Sequence, residues 1–205
     1  MMPPEESWCP NLAASIVAGL ESGMPFAGLI PHPSSAAAPA IAIEASALIL
    51  ATGGVSFRYR VRGDIQRIRL PASAQGRADE LWRHTCFEAF VKPASSDRYI
   101  ELNFALSGAW AAYSFASYRC GREPLAAIEA PTIQCRVDGS LLTLEATASI
   151  GSPRSDASVG LSAVIEDVDG NSSYWALAHP RPRPDFHDAA AWTGAFQRFD
   201  AEDRA

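Results

Sequence analysis

"YIELNFAL" (residues 99–106) alternates polar and apolar side chains along its length. Because successive side chains of a β-strand point to opposite faces, Ile100, Leu102 and Phe104 share one face. Glu101 and Asn103 share the opposite face. The pattern predicts a strand with an apolar face for a core and a polar face for another purpose.

The same alternation recurs along the rest of the chain, interrupted by short turn signals. Val55 begins a similar run, and Asp138-Gly139 and Asp169-Gly170-Asn171 are typical of hairpin bends. About ten strands are expected, with no long helix after residue 32. The sequence therefore predicts an all-β fold, an antiparallel β-sandwich of two sheets with a jelly-roll or immunoglobulin-like arrangement.

The pattern also predicts how the chain is divided. Residues 11–23 have helical spacing of apolar side chains and end in a glycine, which predicts a short helix. Residues 30–40 are rich in Pro, Ser and Ala and are typical of a linker. We therefore expect an N-terminal arm at residues 1–31 and one ligand-binding domain at residues 32–200.

Composition narrows the classes of function. The chain has 205 residues, 48% of them apolar, and a net charge of -6, which favours a globular domain. No basic patch indicates nucleic acid or an anionic membrane, and no run of residues is long and apolar enough to span a bilayer.

The cysteines bear on the compartment. The four cysteines form no CxxC pair, which argues against a zinc ribbon or a thioredoxin-like site. The segment "MMPPEESWCP" (residues 1–10) lacks a basic start and a long apolar run, so it does not resemble a secretory signal. We expect four free thiols and a cytoplasmic protein.

A second polar face is predicted in "LWRHTCFEAF" (residues 81–90). Interpreted as one strand, this stretch places Trp82, His84, Cys86 and Glu88 on the same face. An indole, an imidazole, a thiol and a carboxylate side by side are unusual for a core.

A third unusual stretch is "YWALAHPRPRPDFHDAAAWTGAF" (residues 174–196), which crowds aromatic and histidine side chains around three prolines. Prolines exclude regular structure, so this stretch is expected to be a loop. It is interpreted either as a binding rim or as a plug over one end of the sandwich.

Together, "DELWRHTCFEAFV", "YIELNFALSGAWAAYSF", "YWALAHPRPRPDFH" and "AWTGAF" resemble bacterial DOMON-like domains, which are related to family 9 carbohydrate-binding modules. The resemblance covers about residues 32–199. It implies a β-sandwich whose sheet face holds a sugar between tryptophans, helped by a carboxylate and polar side chains. It implies a non-catalytic, ligand-binding role.

The resemblance and the residue pattern give seven candidate ligand-binding side chains. The spacing of Trp82 and Glu88, the polar position Asn103, and Trp175 with the later Phe-His pair ending at His187 match the family. The sequence departs from the family at His84 and Cys86, where smaller or acidic residues are usual. The complete candidate set is Trp82, His84, Glu88, Asn103, Trp175, His179 and His187.

Other classes of function stay open. The first alternative is a structural or protein-interaction β-sandwich without a small-molecule ligand. An enzyme or metal site would have to use His84, Cys86 and Glu88 with a histidine from the C-terminal loop. A haem site would need a His84–His179 pair. We predict no cofactor and no catalysis, although a structural calcium ion is compatible with the resemblance.

Overall fold

Strands make up most of the computed structural model, which describes residues 25–35, 39–70, 75–151 and 156–198. Ten strands have five or more residues: β1 Ala27–Pro31, β2 Ile41–Ile49, β3 Val55–Gly63, β5 Cys86–Lys92, β6 Tyr99–Phe104, β7 Ala109–Phe115, β9 Thr132–Asp138, β10 Leu141–Ala148, β11 Ser158–Glu166 and β12 Ser172–Ala176. Three strands have two residues: β4 Gly76–Arg77, β8 Glu123–Pro124 and β13 Gln197–Arg198. The helices within the described residues are single 3₁₀ turns: Ile65–Arg67, Leu81–Arg83 and Ala189–Ala191. The prediction of an all-β chain is confirmed.

The strands form one curled mixed sheet. Hydrogen bonding follows the order β4-β7-β6-β5-β11-β12-β1-β2-β3-β10-β9, with β13 beside β2 and β8 beside β7. Most pairs are antiparallel, but β4 with β7 and β13 with β2 are parallel. The predicted division into two wholly antiparallel sheets is not confirmed, because β1 pairs with both β12 and β2 and makes the path continuous.

The role of β1 corrects the predicted domain boundary. Residues 27–31 were expected to belong to an arm, but they lie in the middle of the sheet, and Leu29 is buried in the core. The folded domain therefore includes residues before 32. Strand β1 was missed because it is short and mostly exposed, so its sequence carries little alternation. The helix predicted for residues 11–23 lies outside the described residues.

The main core lies inside the curl, where side chains from the two halves of the sheet meet. The ring of Phe57 on β3 lies 5.9 Å from that of Phe104 on β6, and the rings of Tyr59 and Phe87 are 5.0 Å apart. The Tyr59 hydroxyl also donates a hydrogen bond to the backbone oxygen of Glu88 at 2.7 Å. These four rings are almost completely buried, so the contact between them contributes to the hydrophobic stabilisation of the core.

The stretch at residues 81–90 is not one strand. Residues 81–83 form a 3₁₀ turn, and β5 begins only at Cys86. Within β5 the predicted alternation holds: Phe87 and Ala89 enter the main core, whereas Glu88 and Phe90 face the other side. The turn breaks the two-residue period before β5, so Trp82 and His84 do not have to share the direction of Glu88.

Strands β5, β6 and β7 carry a second apolar cluster on their outer face. The outer aromatic cluster consists of Phe90, Tyr99, Tyr113, Phe115 and Trp192. Its rings stack closely: Tyr99 and Phe115 have centroids 4.6 Å apart, and their ring planes are nearly parallel. Trp192 comes from residues 177–196, the covering segment, and its ring stacks on Phe90 at 5.5 Å.

A glycine makes room for this contact. Gly160 lies on β11 directly below Trp192, and a Cβ atom there would be 2.2 Å from Trp192 Cδ1. The Trp192 indole also donates from Nε1 to the Phe186 backbone oxygen at 2.7 Å. One attachment of the covering segment is therefore an indole that fits against the sheet only because residue 160 has no side chain.

The part of the chain that the structure describes contains no helix that is long and apolar enough to cross a membrane.

Replacing Gly160 tests the attachment of the covering segment. Gly160→Ala should destabilise the protein by about 1–3 kcal/mol, because the new methyl group overlaps the indole. Gly28→Ala is the matched control, since a Cβ at Gly28 meets no atom within 4 Å. Urea unfolding of both variants measures the difference. Equal midpoints would show that Trp192 does not pack on Gly160 as described.

Candidate functional site

A cavity of about 590 Å³ lies between the outer face of the sheet and the covering segment. Strands β5, β6, β7, β11 and β12 form its floor, and the turns that follow Glu80 and Phe115 form part of its rim. The cavity is lined by Trp82, Arg83, Glu88, Glu101, Phe115, Arg119, Arg122, Val164, Ser172, Tyr174, Pro184, Phe186 and His187. The lining thus combines aromatic rings with both signs of charge.

Two buried carboxyl groups are at the centre of this lining. Glu88 on β5 is opposite Asn103 on β6, and Glu101 is opposite Phe90. Because alternate residues share a face, this register makes Glu88 and Glu101 diagonal neighbours on the outer face. Both residues are nearly inaccessible to solvent, at 3% and 4% exposure. Two carboxyls that are buried together resist simultaneous ionisation.

Glu88 has an unmet hydrogen-bonding requirement. Its Oε1 atom is buried and has no hydrogen-bond partner among the described residues. Burial raises the pKa of Glu88 well above its ordinary value, the charge of Glu101 raises it further, and Arg119 opposes both effects. A buried polar atom without a partner is rare in folded proteins, so a bound ligand or ordered water is the expected partner.

Unlike Glu88, the Glu101 carboxyl has polar partners for both of its oxygens. Asn103 Nδ2 donates to Glu101 Oε1 at 2.7 Å, and His187 Nε2 lies 3.8 Å from Oε2. Burial raises the pKa of Glu101, while the Asn103 hydrogen bond and the charges of Arg122 and Arg119 lower it. Asn103 is completely buried and does not line the cavity. It orients the Glu101 carboxyl from the neighbouring position on the same face of β6.

A chain of hydrogen bonds fixes the orientation of His187. The backbone N–H of Arg119 donates to the Tyr99 hydroxyl oxygen at 3.2 Å, and that hydroxyl lies 2.7 Å from His187 Nδ1. Because burial lowers the pKa of His187 from 6.5 to about 4, the ring is neutral at pH 7. Because the Glu101 carboxyl is an acceptor beside Nε2, we expect the proton of the neutral ring on Nε2, with the Tyr99 hydroxyl donating to Nδ1. Nε2 is the atom on the side of Glu101.

Each cavity arginine is engaged by another group. Arg119 donates to Asp185 Oδ1 from two nitrogens, at 2.8 and 3.2 Å. Arg83 pairs with Glu80 at 2.9 Å. Arg122 lies over an aromatic pair, 5.5 Å from the ring centroid of Trp82. Arginine stacked on an aromatic face combines cation–π attraction with packing.

Backbone strain is concentrated at the rim. The non-glycine residues with positive φ in the described part of the chain are Glu80, at 57°, and Arg119, at 52°. The left-handed conformation costs about 1–2 kcal/mol for residues with a Cβ. Glu80 immediately precedes the turn that carries Trp82, and Arg119 lines the cavity. Such strain is often found at functional sites.

The structure brings three of the seven predicted side chains together in the cavity: Trp82, Glu88 and His187. Trp82 reaches it through the 3₁₀ turn, with its ring 6.0 Å from that of Tyr113. The predicted shared strand face was the wrong reason for its position. Ligand contact by these three residues stays a prediction.

Three other predicted residues lie elsewhere. His84 is exposed, and its Nδ1 pairs with Glu166 at 2.7 Å. Trp175 belongs to the main core and donates to Ser173 at 2.9 Å. His179 bonds to the Ile30 backbone oxygen at 2.9 Å and so holds the covering segment to β1. None of the three lines the cavity, because each is taken up by a structural contact.

Sequence reasoning also missed several cavity residues. Glu101 was placed on the outward face of "YIELNFAL" but was not selected, although its alternation with Leu102 gave a usable signal. Arg119, Arg122 and Tyr174 gave no such signal. They reach the cavity through the turn after β7 and the pairing of β12, which local patterns do not encode.

Metal ligation finds no support in the described part of the chain, where no group of three or more His, Cys, Asp or Glu side chains is placed to hold an ion. Cys86, a predicted member of such a site, is fully buried and contacts Asn103 Oδ1 at 3.7 Å. Burial raises the pKa of its thiol well above the ordinary value.

Comparison with solved structures gives the class of fold. The chain is similar to a putative carbohydrate-binding protein from Bacteroides uniformis, with a TM-score of 0.59 and 15% identity over 86% of this chain and 87% of that one. It is also similar to a family 9 carbohydrate-binding module from Caldicellulosiruptor kristjanssonii in complex with glucose, with a TM-score of 0.51, 8% identity and 87% coverage of both chains.

These likenesses show that the chain has a fold similar to that of a family 9 carbohydrate-binding module. No protein-family model and no curated protein sequence matches the chain. Neither structural neighbour is described as a DOMON domain, so that narrower resemblance stays a prediction.

Titration of His187 tests the hydrogen-bond chain. The unfolded chain has an ordinary histidine pKa, whereas the folded pKa is about 4, so unfolding takes up a proton between these values. The contribution of this residue to stability should therefore decrease as pH falls from about 6.5 towards 4. NMR of the folded protein should show a neutral His187 with the proton on Nε2 at pH 6, assigned by comparison with His187→Gln. A midpoint near the ordinary histidine value would contradict the burial of this ring.

Proposed function

We propose that the protein is a non-catalytic binding protein whose cavity takes a carbohydrate or a related polar small molecule. The observation that carries the proposal is the buried, unpartnered Oε1 atom of Glu88 in a cavity of about 590 Å³. A cavity of this size is within the range of small-molecule sites. A hydroxyl group of a bound sugar would supply the missing hydrogen bond.

The lining has the two properties that a sugar requires. A pyranose presents an apolar C–H face, which the rings of Trp82, Tyr174 or Phe186 can cover. It also presents a ring of hydroxyls, each of which can donate and accept hydrogen bonds. Glu88 and Glu101 supply acceptors, and His187 supplies the Nε2 donor. Hydrogen bonds to charged partners are the stronger ones.

The fold adds indirect support. The two similar solved structures are described as a putative carbohydrate-binding protein and as a carbohydrate-binding module with glucose. Their low identity with this chain means that the position of their ligands is not carried over. The same neighbours favour the non-catalytic reading. The buried Cys86 argues in the same direction, since a thiol with a raised pKa is a poor nucleophile at pH 7.

Two substitutions test the binding site. Trp82→Ala should weaken sugar binding by about 1–3 kcal/mol, by analogy with aromatic stacking on planar ligands. Glu88→Gln should also weaken binding. It should leave the melting temperature at pH 7 unchanged or slightly higher, because it removes a buried acid that has no salt-bridge partner among the described residues.

The control is Trp175→Ala, which removes an indole from the main core. It should cost about 3–5 kcal/mol of stability. Isothermal titration calorimetry with a panel of mono- and disaccharides measures binding, and thermal unfolding measures stability. If the wild-type protein binds no sugar, and Trp82→Ala and Glu88→Gln lose as much stability as Trp175→Ala, the cavity lining is only architectural. The protein-interaction alternative would then be the better account.

We also propose a reducing compartment, as the cytoplasmic prediction implies. Cys86 is buried and Cys120 is exposed, and both are free thiols in the structure. Cys9 lies outside the described residues. Thiol counting on the denatured, unreduced protein should return four thiols per chain, the number of cysteines in the sequence. A count of two or fewer would contradict the proposed compartment.

A further inference from the structure

The charges around the cavity do not balance. Two of the three cavity arginines are paired with carboxylates that lie outside the cavity lining. Arg119 is bonded to Asp185, and Arg83 is bonded to Glu80. The third arginine, Arg122, forms no salt bridge within the described residues. A hydrogen bond from the Tyr113 hydroxyl lowers the pKa of Asp79, and the charge of Arg122 adds to this effect and also lowers the pKa of Glu101. Two of the three positive charges of the rim are therefore compensated before any ligand arrives.

Glu88 and Glu101 are left as a surplus. Within the described residues neither carboxyl forms a salt bridge with an arginine or a lysine. The histidine beside Glu101 is neutral at pH 7 and carries no charge to offset it. Arg119 and Arg122 reach these carboxyls only through longer-range attraction. The floor of the cavity therefore has two acidic groups and lacks a cation.

We infer that the ligand of this cavity is an amino sugar, a monosaccharide unit with a protonated primary amine directed at Glu88 and Glu101. The inference rests on the proposed function and specifies its substrate class. An ammonium group offers three N–H donors and one positive charge. It satisfies the unpartnered Glu88 Oε1 and compensates the single negative charge that a pair resisting double ionisation carries. A neutral hydroxyl supplies a donor but no charge.

The aromatic side chains favour the same ligand. Trp82, Phe115, Tyr174 and Phe186 line the cavity around the acidic pair. Aromatic faces attract cations as well as apolar C–H groups, so one wall serves both parts of an amino sugar. A sugar acid has the opposite charge. Its carboxylate would lie beside two buried carboxyls, and among the cavity arginines only Arg122, which stacks on Trp82, lacks a salt bridge, so a sugar acid is the less favoured ligand.

Calorimetry with paired ligands tests the inference. Glucosamine and galactosamine are compared with glucose, galactose and glucuronate at pH 6.5 and low salt, using the full chain. Each amino sugar should bind at least about tenfold more tightly than its parent hexose, and glucuronate should bind most weakly. Added salt should reduce the preference, because the attraction between charges is screened.

Variants that replace a buried glutamate with glutamine test whether these carboxyls cause the preference for amino sugars over hexoses. Glu88→Gln and Glu101→Gln should each reduce the ratio of amino-sugar to hexose affinity by about fivefold or more, while thermal unfolding confirms that they fold. Glu129→Gln is the matched control, since it removes the same charge from an exposed residue that does not line the cavity. It should leave the ratio unchanged.

The outcomes separate this inference from the proposed function. If hexoses and amino sugars bind equally well, the protein is a sugar-binding protein but the amine selection is wrong. If Glu129→Gln lowers the ratio as much as Glu88→Gln, the preference comes from overall charge and the inference also fails. If no hexose binds, with or without an amine, the proposed function itself fails.

Discussion

Burial of β5 and β6 on both faces is the constraint on which the rest of the structure depends. Their inner face meets the opposite half of the curled sheet through Phe87 and Phe104. Their outer face is covered by the C-terminal segment through the stacking of Trp192 on Phe90. A sheet face that carries carboxylates would normally stay in water. Here the covering segment takes it out of water and creates the cavity.

The electrostatics of the cavity follow from that burial. Glu88 and Glu101 have raised pKa values because they are desolvated together, and His187 has a lowered pKa because it is desolvated beside Arg119. The same cover makes each interaction stronger than it would be at an open surface. A buried acid that lacks a partner is costly in stability, and such costs are typical of sites that are completed by a ligand. The strained backbone at Glu80 and Arg119 fits the same pattern.

Local alternation predicted the strands better than it predicted the site. The hairpin at Asp138-Gly139 forms as expected, with β9 and β10 joined by a two-residue turn, because a glycine there can adopt positive φ. The stretch at residues 81–90 misled the interpretation, because a 3₁₀ turn interrupts it before β5. Trp82 nevertheless reaches the cavity, whereas His84 turns away to Glu166.

The sequence by itself determined the all-β class, most strand positions and the two faces of β5 and β6, because these depend on a two-residue period that neighbouring residues encode. It did not determine the order of strands in the sheet, the inclusion of Ala27–Pro31 in its middle, or the curl that closes the core. Those depend on pairings between distant segments. The cavity also depends on contacts between distant segments. Glu88, Arg119 and His187 meet only because the covering segment returns over the outer face, and no local pattern records that return.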